Sequence, residues 1–236
     1  MGQLVNRKFR EWTEGLDSRQ AMISIFSHIR DIPYALVTDP VFHDSKKGPE
    51  FLLKQGRGSC APKHFLLAAM YRMLNVDVAY ATFPFLWGAQ EIRFTPALRQ
   101  VAVSLPVSYH LACRVQIGCR WILVDATWDP PLGKAGFPIN LNWDGYAETE
   151  CAVKPLNATA RKINAGAPKD SCRDSGTREI VPREGEKNHW EAEDRQRFYD
   201  EKVRSRTPDD IRRASRFYQD LNAWMERVRN PDYPAS

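Results

Sequence analysis

The stretch Gly56-Arg57-Gly58-Ser59-Cys60-Ala61-Pro62, running on through Lys63-His64-Phe65-Leu66-Leu67-Ala68-Ala69-Met70-Tyr71-Arg72-Met73-Leu74-Asn75, decides how the chain is read. Two glycines make a tight turn, a cysteine follows, and a helix begins. Pro62 falls in the first helical turn, where its missing N–H costs nothing. Phe65, Leu66, Leu67, Ala68, Ala69, Met70, Met73 and Leu74 make the helix apolar on most sides, which predicts a central helix covered on several faces. A thiol at such a helix start lies near unpaired backbone N–H groups and the positive end of the helix dipole, and both favour thiolate. The bland alternative is a core helix with an inert cysteine at its tip. What separates the two is whether the chain supplies Cys60 with a base.

The clearest source of one is a hairpin. Tyr109 to Ile117 and Arg120 to Ala126 are β-rich runs on either side of Gly118-Cys119, and glycine at the first turn position permits a two-residue loop. That loop pairs Ile117 with Arg120, Ala112 with Asp125, and His110 with Thr127. Side chains alternate faces along a strand, so His110, Ala112, Asp125 and Thr127 share a face and His110 becomes a diagonal neighbour of Asp125. Cys60, His110 and Asp125 then have the three parts of a thiol site: nucleophile, base and orienter. The backbone N–H of Cys60 would face a developing oxyanion, with Gln55 as candidate second donor.

Around these pieces the chain reads as mixed. Asp17 or Ser18 caps a helix to about Arg30, with Ala21, Met22, Ile25, Phe26 and Ile29 as its stripe. Ile32 to Val37 is a short apolar segment, and Pro49 to Lys54 a short helix feeding the Gly56 turn. Val76 to Ala81 reads as a strand. Thr82 to Arg93 reads as an aromatic loop whose Trp87, with Trp128 further on, could line a cleft. Val101 to Leu105 reads as another strand. Leu132 to Val153 is irregular, with Trp143 and Tyr146 as packing residues. The stretch 157–188 is a polar linker or excursion carrying Cys172, and a charged helix spans Trp190 to about Arg204. Thr207-Pro208-Asp209-Asp210 starts a last helix with the stripe Ile211, Ala214, Phe217, Tyr218, Leu221, Trp224, Met225 and Val228.

Composition removes several classes of function. The 236 residues are 43% hydrophobic, enough for a real core, and 27% charged with both signs interspersed. A net charge of +5 without a contiguous basic face is a poor nucleic-acid footprint. Gly2 to Arg19 has no apolar signal-peptide core, Asn6 stands where a lipidation motif would place serine or threonine, and no run approaches the roughly 18 apolar residues of a membrane span. Five cysteines without a C-x-x-C pair fit a reducing, cytoplasmic setting. The histidines lack an H-x-x-x-H pattern, so no metal or other cofactor is expected, and His28 and His43 read as structural or exposed. Lys63, Arg93 and Arg114 read as solvated charge rather than a site for an acidic substrate.

Gly56 to Cys60 followed by Lys63 to Arg72, with Tyr109-His110 and Val124-Asp125-Ala126-Thr127-Trp128-Asp129-Pro130 downstream, resembles the transglutaminase-like superfamily. Ile25-Phe26-Ser27-His28-Ile29-Arg30-Asp31-Ile32-Pro33-Tyr34 is similar to that family's leading helix. The resemblance covers roughly Asp17 to Pro130. It implies a papain-like α+β fold, in which the cysteine-bearing helix packs on an antiparallel sheet that carries histidine and aspartate, here with added C-terminal helices. It maps nucleophile, base and orienter to Cys60, His110 and Asp125. The aromatic loop around Trp87 is distinctive, and the strand carrying His110 lacks the family's tryptophan just before it.

The expected organisation is a catalytic core over 1–156, a polar linker over 157–188, and a helical extension over 189–236 docked on the core or used as a homodimer contact. The expected function is thiol-dependent acyl transfer, with hydrolysis of a peptide, protein or small amide substrate ahead of amine transfer, since water needs no second substrate site. Cross-linking or amine transfer by a transglutaminase, and a noncatalytic protein-binding module on the same fold, are the alternatives. Neither nucleic acid nor membrane is an expected partner.

Overall fold

The computed structural model describes residues 2–37, 39–156, 186–189 and 191–233. Helix α1 (Gln3–Thr13) precedes α2 (Ser18–Asp31), which Asp17 starts with a reciprocal capping box: its carboxylate accepts from Gln20 N–H while the Gln20 side chain accepts from Asp17 N–H. Helix α3 (Gly48–Gln55) ends on Gly56, whose φ of 64° suits a residue without Cβ. Helix α4 (Cys60–Met73) follows at once, buried over most of its length as its composition predicts.

Four antiparallel strands form one sheet in the order β3-β2-β1-β4: β1 (Val78–Phe85), β2 (Ser108–Ile117), β3 (Arg120–Val124) and β4 (Lys187–His189). The sheet's two faces divide the core. Leu111, Cys113 and Val115 pack with α4 and the N-terminal helices. Ala81, Phe83, Phe85, Ala112 and Leu123 pack on the other side, with the C-terminal helix and the Trp128 region. Cys60 touches both groups, so the nucleophile candidate sits at the seam between two cores. The fold is therefore α+β with an antiparallel sheet against a cysteine-bearing helix.

Four sequence expectations change. Thr82–Phe85 is not loop but the second half of β1. Pro84 is tolerated there because β4 pairs only with Tyr80–Thr82, leaving that end of β1 free of a ladder partner on one side. Val101 is not in a strand. It closes α5 (Pro96–Ala102), which Thr95 caps through Leu98 N–H with proline in the first turn. Strand β3 stops at Val124 rather than Ala126, because Asp125 N–H donates to Thr149 Oγ1 and its carbonyl accepts from Asn140. Of the two residues read as packing between Leu132 and Val153, Trp143 is buried and Tyr146 is exposed.

Two helices complete the chain. Helix α6 (Ala192–Arg204) is followed by α7 (Pro208–Arg229), started by a Thr207–Asp210 capping box. Ala214, Phe217, Leu221, Trp224, Met225 and Val228 bury the α7 stripe within this same chain, while Ile211 remains exposed. Arg229 at its end forks onto Asp129, donating 2.8 Å bonds to both carboxylate oxygens, and donates to Tyr34 O. The polar stretch 157–188, including Cys172, lies outside the described residues up to 185, as does Trp190; residues 187–188 belong to β4.

Candidate active site

The turn before Cys60 is built by its two glycines for different reasons. Gly56 takes the left-handed conformation. Gly58 has no room: an added Cβ would lie 2.6 Å from Leu52 Cδ1 and 3.1 Å from Phe42 Cε1. Its backbone bridges the Tyr34 segment, with Gly58 N–H on Pro33 O and Ala35 N–H on Gly58 O, both at 3.1 Å. Ser59 is extended and offers no side-chain cap. The thiol of Cys60 thus rides on the first residue of a rigid buried helix, where the opening N–H groups have no intrahelical acceptor.

His110 is delivered by β2. The hairpin register runs Ile117↔Arg120 to Cys113↔Val124, as the two-residue loop at Gly118 (φ 58°) requires. Continued past the ladder, that register sets Asp125 beside Ala112 and diagonal to His110. His110 Nε2 lies 2.7 Å from Asp125 Oδ2. Phe83, opposite His110 on β1, stacks against the ring at 6.2 Å between centroids. With Nε2–H donating to Asp125, Nδ1 is left for Cys60, and each of the two groups shifts the titration of the other.

Asp125 accepts three bonds: from His110, from Thr127 Oγ1 at 2.6 Å, and from Ala152 N–H at 2.8 Å. Burial works against its charge, but His110 and these donors hold the carboxyl well below the usual range. Burial likewise opposes charge on His110, yet Asp125 and Cys60 raise it to about 10. Burial pushes the Cys60 thiol up; the His110 bond and charge, with the Leu111 N–H, outweigh it and leave the thiol below its ordinary value. The directions agree: the ionised forms of Cys60 and His110 favour one another, and Asp125 favours the charged imidazole.

The sequence assigned no role to His64, one turn along α4. Its Nε2 accepts from Ala126 N–H at 3.1 Å, so Nδ1 carries the proton and donates to Cys60 O at 2.8 Å. Burial draws its pKa down to about 4, so it stays neutral beside Asp125 despite a 3.6 Å approach. Lys63 is also a correction: it is fully buried, donating to Arg30 O, Ile32 O and Thr127 O at 2.6–2.9 Å. Arg114 is buried in a bidentate pair with Glu186, and Arg93 donates to Lys134 O. A buried lysine or arginine is legible from sequence only when its acceptors are, and these are backbone carbonyls and acids far along the chain.

A cavity of about 280 Å³ opens beside Cys60 and His110. Trp87 and Trp128 line it, both nearly buried. Trp128 Nε1 donates to Ala152 O, while Trp87 Nε1 has no partner among the described residues. His43, expected to be structural or exposed, also lines this cavity. Gln55 stands exposed at the end of α3 and is not among the lining residues. Cys151 comes near His110 and Asp125, with potential ligand atoms of all three within 4.8 Å of one another. The donor set suits an ion poorly, because Oδ2 already takes His110 and Ala152 N–H, and Oδ1 takes Thr127.

No helix among the described residues is long and apolar enough to cross a membrane. No protein-family profile and no curated protein matches the chain. Among solved structures, that of a protein from Cytophaga hutchinsonii, provisionally named a cysteine protease, is similar over 56% of this chain at 19% identity, with a TM-score of 0.38. The chain spans 39% of the length of that protein.

Proposed function

We propose that this chain is a thiol-dependent acyl-transfer enzyme of transglutaminase-like type that hydrolyses a peptide or amide bond through a thioester on Cys60. The observation that carries the reading is the 2.7 Å bond between buried His110 and Asp125, with half-buried Cys60 and His110 on the wall of one cavity. The Cys60 thiolate attacks the acyl carbon, forming the C–S bond. The carbonyl electrons move to oxygen, facing the backbone N–H of Cys60 at the helix start. Imidazolium Nδ1–H of His110 gives its proton to the departing amine as the C–N bond breaks. Neutral His110 then takes a proton from water, the new hydroxide attacks the thioester, and the thiolate leaves. Asp125 holds Nε2–H throughout, which keeps Nδ1 aimed at sulfur.

The test has two stages. A thiol-directed acyl probe is applied across pH to the native protein, Cys60→Ala and His110→Ala. Labelling should vanish in the first variant and slow in the second. Equal labelling of native protein and His110→Ala removes the activated nucleophile. A peptide and amide library, with and without an added primary amine, then separates hydrolysis from amine transfer.

A further inference from the structure

The cavity beside Cys60 holds a cation that the proposed chemistry does not use. Arg195, on α6, is 1% exposed and lines the cavity. Its Nε and Nη1 have no hydrogen-bond partner among the described residues. These two nitrogens belong to different edges of the guanidinium, so each of its forks has a free donor. Arg30, Arg114 and Arg229 behave otherwise, each pairing with a carboxylate of this chain. Two buried guanidinium donors with no partner among the described residues are costly and rare, which points to an acceptor arriving from outside.

The surroundings say what kind. The Arg195 guanidinium sits 4.8 Å from the Tyr199 ring centre, and Tyr199 stacks on His43, so the planar fork is held in place. Arg206 adds a second positive charge to the wall. Among the described residues no aspartate or glutamate lines the cavity. Trp87 Nε1 is a further unpaired donor there. A small cavity rich in donors and positive charge, with aromatic walls and no acid, suits a planar anion of modest size. A carboxylate takes a charge-assisted bond from a guanidinium N–H, and Nε and Nη1 each offer one. Arg195 and Cys60 also act on each other electrostatically, so the two ends of such a ligand would be close.

We propose that Arg195 binds a carboxylate of the substrate, so that the amide cleaved at Cys60 carries an acid group near its scissile bond. The cleavage half of this statement rests on the nucleophile reading above; the binding half does not. The carboxylate is either the free terminus of a peptide or an aspartate or glutamate side chain, and the same guanidinium suits both.

Binding is read by the fluorescence of Trp87 and Trp128, titrated with N-acetylglutamine (terminal acid), its isomer N-acetylglutamate α-amide (side-chain acid) and neutral N-acetylglutamine amide. At least one acid should bind about ten-fold or more tightly than the neutral amide, the order of one charge-assisted hydrogen bond. The preferred isomer identifies the source. Arg195→Met should abolish the preference, and Arg195→Lys should restore part of it. Equal binding of acids and amide by the native protein, or no binding of either acid, overturns the proposal without any variant having to fold.

Alkylation of Cys60 by iodoacetate and by iodoacetamide gives an independent reading. In both, the thiolate forms a C–S bond as the C–I bond breaks and iodide leaves, so the thiolate fraction cancels in the ratio of rates. That ratio should exceed the value for free cysteine by about ten-fold and fall towards it in Arg195→Met. Slow, His110-independent alkylation by both reagents would sink the nucleophile reading and leave fluorescence to judge Arg195. Fast alkylation with an unraised ratio and no fluorescence preference sinks the carboxylate site and leaves the nucleophile standing.

Discussion

His64 Nε2 accepts a hydrogen bond from the backbone N–H of Ala126 at 3.1 Å, joining the cysteine helix to the residue after Asp125. The other ring nitrogen holds the carbonyl of Cys60. One neutral imidazole thereby sets the spacing between the two ends of the candidate site. His64→Leu should orphan a buried N–H and cost about 2–4 kcal/mol, with acyl turnover falling beyond what stability explains. Denaturant unfolding and single-turnover kinetics check this.

The same ring has a pH signature. Its folded pKa, about 4, lies below the unfolded value of roughly 6.5. The unfolded chain therefore binds the extra proton first. The stability from neutral His64 is fully present above about 6.5 and lost as pH falls towards 4. Urea midpoints measured over that interval should decline less in His64→Gln than in the native protein.

Cys60 and His110 titrate as a pair. The thiol lies below its ordinary value while the imidazole is raised to about 10. Alkylation of Cys60 should therefore reach its plateau below the usual thiol range. In His110→Ala the burial of sulfur is no longer offset, so the inflection should move up in pH. An inflection that stays in place would show that another group activates the thiol.

Asp125 acts through His110. Asp125→Asn removes the charge that favours imidazolium and allows the opposite tautomer. Acyl turnover should fall about 10²- to 10⁴-fold, with Cys60 still present to alkylation. The folded carboxyl titrates below its unfolded value, so its stabilisation is present above roughly pH 4 and lost as pH falls further. Asp125→Asn should lack that acid-dependent loss in a urea series.

The clamp between Arg229 and Asp129 fastens the end of α7 to the loop after the site. Asp129 Oδ1 also accepts from Tyr34 N–H at 2.7 Å, and Tyr34 lines the cavity. Arg229→Lys keeps charge but loses the fork, and should cost about 2–3 kcal/mol. Thermal unfolding reads the loss; the iodoacetamide rate at Cys60 reads whether the cavity wall has shifted.

Local chemistry made a large part of this protein legible in sequence. The capped starts at Asp17 and Thr207, the Gly56 turn, the apolar α4 and the Gly118 hairpin each depend on residues within a few positions of one another. Register alone carried His110 to the neighbourhood of Asp125, because a two-residue loop leaves the pairing no freedom. The strand expected at Val101 failed for a local reason too, since the Thr95-Pro96 start signal upstream outranks a short apolar run. Other features needed the fold. Lys63 is buried because Arg30, Ile32 and Thr127 bring three carbonyls to it, and β1 extends through Phe85 because β2 lies alongside. Gln55, one short turn from Cys60 in sequence, faces solvent. Arg195, 135 positions from Cys60 in the numbering, lines its cavity. The sequence by itself determined which candidate groups the chain carries and the turns that present them. Only the tertiary structure decided which distant donors share a cavity with the thiol, because long-range packing sets those distances and no local spacing encodes them.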